Sequence, residues 1–284
     1  MHLLRLKHIA VLLFLLSAFV LDVTAQEPSP SAQSTSQSDQ QGSPEPNPTK
    51  RKRRRATRSA SYQGRGVLEL EYAYNGDFFA NDAPDAQALT LTLTYSVTNK
   101  LQLEFSSDNF VTQTDSNKLR SNGLGNTYLG FQYTLQNEAK NRPSLALAYQ
   151  ITLPTGSEGK GISNGRTLHA LEGIVSKQVN KIDIDLNFGM LLNGRQGQKN
   201  YEKGLLLGQG FSRNLKKGFG VQWEVSGQTL NASEPKGVFA SSSITYQKSP
   251  RSQFDFGLRV GLTPAAPRFG VFTGWTFTFP SFEK

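Results

Sequence analysis

Leu89-Thr90-Leu91-Thr92-Leu93-Thr94-Tyr95-Ser96-Val97 alternates an apolar side chain with a small hydroxyl-bearing one from end to end. Successive side chains of a β-strand point to opposite faces, so this stretch is a strand with one greasy face and one hydroxyl-lined face. The polar face carries no charge. A sheet with one wet face in a soluble protein usually places lysines and glutamates there. The pattern fits a strand whose apolar face meets lipid and whose polar face meets a lumen.

The same alternation recurs on both sides of this stretch. Upstream, Leu68, Leu70, Tyr72 and Tyr74 oppose Glu69, Glu71 and Ala73. Downstream, Leu101, Leu103 and Phe105 oppose Gln102, Glu104 and Ser106, and Leu129, Phe131, Tyr133 and Leu135 oppose Gly130, Gln132 and Thr134. Ile182, Ile184, Leu186, Phe188 and Met190 oppose Asp183, Asp185, Asn187 and Gly189. Phe254, Phe256, Leu258 and Val260 oppose Asp255, Gly257 and Arg259. The residues from 65 onward predict about twelve such strands, an even number. The sixth, residues 167–179, has no clean face, although Leu171, Gly173 and Val175 are assigned to the lipid side.

Connections alternate in length. Short ones fall at Thr98–Lys100, Gln136–Arg142, Asn180-Lys181, Asn214–Gly218 and Lys248–Arg251. Long or glycine-rich ones fall at Asn75–Ala86, Ser107–Asn122, Pro154–Arg166, Asn193–Lys203 and Asn231–Gly237. Short turns on one side and longer loops on the other are the habit of bacterial outer-membrane barrels. The fold class expected is therefore all-β, a membrane-spanning antiparallel up-and-down barrel over residues 65–284. An even strand count puts both chain ends in the periplasm of a Gram-negative envelope. Tyr95, Tyr133, Phe219, Tyr246, Phe254 and Phe279 then form an aromatic girdle at the lower interface.

The chain has 284 residues, a net charge of +9, 10% aromatic residues and no cysteine. Its mean hydropathy of −0.43 does not oppose a membrane barrel, because half of each strand faces a polar interior. The lack of cysteine excludes disulfides, thiolate metal sites and lipoprotein anchoring. Residues 1–25 read as an export signal: Arg5 and Lys7, an apolar run from Ile9 to Leu21, and the small-residue cleavage site Val23-Thr24-Ala25. That run is too short for a spanning helix. Residues 26–64 read as a disordered tail rich in Pro, Ser and Gln, ending in a basic cluster. Lys50, Arg51, Lys52, Arg53, Arg54, Arg55 and Arg58 are its candidate contacts with lipopolysaccharide, anionic lipid or anionic cell-wall polymer. Export away from the cytoplasm argues against nucleic acid as a partner.

Two segments carry a family resemblance. Gly123-Leu124-Gly125-Asn126-Thr127-Tyr128-Leu129-Gly130 opens one strand, and a hairpin later a strand ends in Leu153-Pro154-Thr155-Gly156. This resembles the outer-membrane family named for the meta-pathway of phenol degradation, with Asn126 where that family tends to have Asp. The resemblance implies an outer-membrane barrel linked to uptake of aromatic or other hydrophobic compounds, and it brings no catalytic residues. Read physically, Pro154-Thr155-Gly156 terminates a strand.

No catalytic, cofactor or metal constellation emerges. His169 lacks an orienting partner at any telling spacing. The assigned register instead turns Glu69, Glu71, Glu104, Asp183, Asp185, Glu224 and Asp255 inward, with Arg259 as a basic counterpart and Lys177 as another candidate. These are the channel-lining candidates. An acidic lining disfavours anions. A twelve-strand bore is narrower than an open porin's, and the loop Ser107–Asn122 is the candidate constriction. The expected function is a passive, narrow channel for small solutes, aromatic or hydrophobic ones among them. The alternative is a non-conducting structural barrel tethered through its basic tail.

Overall fold

The structure, a computed structural model, describes residues 57–62, 64–79, 85–114, 118–194, 200–229 and 237–279. The export signal and the run Lys50–Arg55 lie outside the described residues. Among those that are described, no helix is long and apolar enough to cross a membrane, so any crossing falls to strands.

Strands run in chain order as β1 (Leu68–Phe78), β2 (Asp85–Ser96), β3 (Leu101–Thr114), β4 (Arg120–Gly123), β5 (Thr127–Gln136), β6 (Ser144–Leu153), β7 (Leu168–Val179), β8 (Ile182–Asn193), β9 (Glu202–Asn214), β10 (Phe219–Thr229), β11 (Val238–Ser249), β12 (Ser252–Gly261) and β13 (Phe269–Phe279). Each pairs antiparallel with its chain neighbour. β4 and β5 share one position in the wall, because β4 pairs the far half of β3 and β5 its near half. β1 pairs both β2 and β13, so the sheet has no free edge and closes as a 12-strand barrel. Closure pairs the strands on both sides, short β4 excepted, which pairs β3 alone, and such pairing is the condition for a sheet to sit in hydrocarbon.

The side-chain period assigns the two faces. Leu103, Leu129, Phe131, Leu186, Phe188, Leu207, Phe256 and Trp275 project outward and are exposed. Thr92, Ser106, Thr134, Asp185, Asn187, Ser243, Asp255 and Thr278 point inward and are buried. This inside-out distribution defines a membrane barrel: the apolar face is the outer one and the interior is polar. The ends also differ as the alternation of loop lengths predicts. Turns such as Asn180-Lys181 sit at one end with the start of β1 and the finish of β13. The longer connections, such as 154–167 and 262–268, sit at the other.

Aromatic rings mark the short-turn end. Phe219 and Tyr246 lie with centroids 4.9 Å apart, and Trp275 stacks on Phe277 at 5.0 Å. Trp275 Nε1 donates to Ser252 Oγ at 2.7 Å, so its polar edge is satisfied at the rim.

Three sequence expectations change. The stretch Ser107–Asn122 is mostly strand: β3 continues to Thr114 and β4 pairs back onto it. A bulge where β2 passes from Leu89 to Thr90 puts one extra residue into β3 and carries this ribbon beyond the ladder of β3 with β5. The described residues of this stretch are therefore wall strand and not a loop folded into the bore. Lys177 lies on the outward face of β7. Its Nζ donates to the carbonyls of Ala139 and Lys140 and pairs with Glu138 at 3.3 Å, because the β5–β6 turn sits directly beside it.

The third change concerns the tail. Thr57–Tyr62, expected in the disordered stretch, lies inside the barrel. Composition measures whether a segment can bury itself. Here the wall does the burying.

The two motif segments meet in space. Gly156 N–H donates to Asn126 Oδ1 at 3.2 Å, Ser157 N–H to Leu124 O at 3.0 Å, and the hydroxyls of Thr127 and Thr155 lie 2.9 Å apart. Asn126 supplies the acceptor that an aspartate would supply. The motif pair thus clips the β5 entry to the β6 exit.

Candidate functional site

The lumen is the site. Glu69 and Glu71 on β1 lie inward beside β13, and Thr278 Oγ1 donates to Glu69 at 3.1 Å. Asp183 sits near the short-turn end, where it accepts from Gln178 Nε2 at 2.8 Å and borders a polar recess with Ser212, Gln222, Thr245 and Gln253. Asp185 and Asp255 are buried on the inward face. Arg259 points inward toward the long-loop end. Its Nε lies 2.6 Å from Asp77 Oδ1 and its guanidinium carbon 5.9 Å from the centre of the Phe239 ring. Glu104 and Glu224 face the middle of the bore, and there they meet the inserted segment.

Thr57, Arg58, Ser59 and Ala60 form an extended thread read by side chains from several wall strands. Thr57 donates twice to Glu224 Oε2, from its backbone N–H at 3.0 Å and from its hydroxyl at 2.6 Å. Asn187 grips the next residue from both sides. Its Oδ1 accepts the Arg58 N–H, and its Nδ2 donates to Arg58 O at 2.9 Å. Gln132 Nε2 donates to Ser59 O at 2.8 Å, and Thr134 Oγ1 to Ala60 O at 3.0 Å. Ala60 N–H donates to Ser176 Oγ at 2.8 Å, and that hydroxyl donates onward to Asp185 Oδ1 at 2.6 Å. Asp185 therefore orients the serine that receives the thread.

The Arg58 side chain lies between two inward carboxylates. Its Nη1 is 3.1 Å from Glu104 Oε2 and its Nε 3.7 Å from Glu172 Oε1, with side-chain exposures of 11%, 5% and 7% in that order. Gln150 Nε2 holds the other oxygen of Glu104 at 3.1 Å. Charges this well removed from water persist only when paired. The expectation that Arg58 contacts the envelope is thus overturned, because its charge is spent inside the barrel. Ala60 is fully buried against Ala146, Ala148 and Ile174. Gly208 faces Thr57 so closely that a Cβ there would lie 2.5 Å from Thr57 Cγ2.

Sequence reasoning missed Glu172, Asp77 and the thread. Glu172 sits on the unpatterned sixth strand, and the reason is now visible. Ile174 is an apolar residue on the inward face, turned there to pack on Ala60, while outward Gly173 leaves its place to the Phe188 ring. Strand one was read only to Tyr74, which left out Asp77. Alternation through Gly76 was the available signal for extending it.

Toward the long-loop end apolar residues join the lining, beside polar ones such as Asn193 and Glu202. Leu191 and Ala170 are buried there with Leu168 and Leu206 packed on them. Phe239 and Phe272 also face inward, Phe272 lying over Gly257. His169 points outward, its Nδ1 2.7 Å from the Tyr149 hydroxyl and its ring 5.4 Å from that of Tyr201. It belongs to the outer surface, away from the lumen.

A closed barrel with an apolar exterior and a polar, obstructed lumen defines a membrane-spanning barrel of the outer-membrane type. The family model described as "Putative MetA-pathway of phenol degradation" matches residues 109–279, more than half the sequence, and the chain belongs to that family. The structure resembles the COG4313 outer membrane channel from Pseudomonas putida F1, with a TM-score of 0.59, 13% identity, and coverage of 78% of this chain and 98% of that one. It also resembles the NanC porin (TM-score 0.53, 10% identity, 74% and 98% covered) and the KdgM porin (0.52, 12%, 74% and 99%). No curated protein matches the sequence. At these identities the resemblance to solved structures establishes the fold.

Proposed function

We propose that the protein is a narrow passive channel of the Gram-negative outer membrane, with both chain ends in the periplasm, that admits small neutral or cationic solutes with an apolar part, aromatic ones included. The observation that carries this reading is the two-zone lining. Leu168, Leu191, Leu206, Phe239 and Phe272 put apolar surface into the long-loop half of the lumen, beside the Arg259–Asp77 pair. The carboxylates of Glu104, Glu172, Asp185 and Glu224 make the middle acidic. An apolar vestibule concentrates hydrophobic solutes, and an acidic waist disfavours anions. The export signal and the channels and porins of the same fold support the placement. The basic run Lys50–Arg55 would meet lipopolysaccharide, anionic lipid or cell-wall polymer.

A second reading has its own observation. The inserted thread obstructs the lumen, as a non-conducting structural barrel would require. Planar-bilayer recordings on the full chain and on Arg58→Ala separate the two. A channel gives small, cation-preferring steps, larger in the variant, and benzylammonium slows them in a way that Phe239→Ala weakens. Silence in both proteins decides for the structural barrel, and conductance with anion preference overturns the acidic waist.

A further inference from the structure

We infer that the lumen is a binding site for extended, arginine-bearing peptides, and that Thr57–Tyr62 is its tethered occupant. This goes beyond conduction and holds whether or not the barrel conducts.

The wall reads a polypeptide backbone. Between Thr57 and Ala60, the side chains of Glu224, Asn187, Gln132, Thr134 and Ser176 hydrogen-bond N–H and C=O groups in succession, from strands far apart in the sequence. Such side chains recognise any extended chain, so the specificity lies in three places. The Glu104–Glu172 pair takes a guanidinium. Planar geometry lets a guanidinium present Nη1 to one carboxylate and Nε to the other, which a lysine ammonium does not reproduce. The Ala146–Ala148–Ile174 pocket is filled by a methyl two residues further on. Gly208 leaves room, on the other side of the arginine, for a residue with a hydroxyl that reaches Glu224. The site therefore selects Thr-Arg-x-Ala.

The occupant is a guest in mechanical terms as well. Residues 57–62 join no strand, and the wall closes without them. They lead to β1 through a turn at Gly64–Gly66, with Gly66 at φ +76°, pinned where Gly66 N–H donates to Ser96 O at 2.7 Å and Arg65 N–H to Asn99 Oδ1 at 3.2 Å, so the tether is short and anchored. A tethered ligand of this kind competes with a free one through its effective concentration, of millimolar order for a short linker. Weakening the tethered copy should therefore expose the site.

The test uses the full chain carrying Arg58→Ala, checked for heat-modifiable migration so that folding is established. A synthetic hexapeptide with the sequence of residues 57–62 is added in detergent and in bilayers. The expected result is a rise in thermal midpoint for Arg58→Ala and a block of any conductance it shows. Wild type should respond at least about tenfold more weakly, because its own copy competes. The lysine version of the peptide should bind about tenfold more weakly than the arginine version. Adding Glu104→Gln and Glu172→Gln together should abolish that preference. If arginine and lysine peptides act alike, or neither shifts the midpoint of Arg58→Ala, the site is refuted. A midpoint shift without conductance in any variant would refute the channel and leave the site standing.

Discussion

A guanidinium between two carboxylates with little water is stable only as a set. Removing one member leaves charge buried without its partner, at a cost of about 3–5 kcal/mol in a dry site and less where lumen water reaches. Arg58 and Glu104 are set this way, and Arg259 with Asp77 is a more exposed version, each side chain 25% exposed. Asp77→Asn should therefore lower stability by only about 1 kcal/mol. The measurement is the temperature at which unheated barrel converts to the slow-migrating form, and no shift at all would mean that the pair is fully solvated. Gly208 makes a contrasting prediction, because it carries no charge. Gly208→Val drives a side chain into Thr57 and should cost about 1–3 kcal/mol by overpacking. It should also enlarge the conductance steps, since the thread is pushed away from the wall. Smaller steps would show that the thread does not limit passage.

Among the elements, the thread and β7 are coupled, and neither was legible alone. Residues 26–64 are poor in apolar side chains, which reads as disorder, and Arg58 reads as one more charge of a basic cluster. Residues 167–179 look confused because apolar Ile174 faces the lumen, in register with polar Asn187 of β8. Each anomaly explains the other: an apolar inward residue is needed where the methyl of Ala60 docks. Ile174→Ala should thus loosen the thread, costing about 2 kcal/mol or more. Trypsin is the probe. In folded protein the bond after Arg58 should resist cleavage, and Ile174→Ala should accelerate its cutting about tenfold or more, in line with 2 kcal/mol of lost protection. Equal rates would mean that the thread is not held through this pocket. The wall strands were far easier to read. Leu89–Val97, Ile182–Leu192 and Phe254–Val260 announced their faces because lipid and lumen impose a strict period of two.

The whole molecule is an inverted protein, with its large apolar side chains on the outside. Leu186 is exposed on the outer face within β8, inside the span of the wall. Leu186→Arg should cost about 2–4 kcal/mol in bilayers. A reversible unfolding titration in liposomes should show it, and a neutral result would argue that this face does not meet lipid. Alternation by itself determined the class of fold, the strand count, the two ends and the inward position of the acidic residues. Those are consequences of local geometry: each residue's face follows from its neighbours in the chain. Closure of β1 onto β13, the meeting of Asn126 with Gly156, and the thread gripped by Asn187, Ser176 and Glu224 were decided only in three dimensions. They depend on pairs up to 211 residues apart, such as Leu68 with Phe279. A periodic pattern specifies which way a side chain points and says nothing about what it will meet.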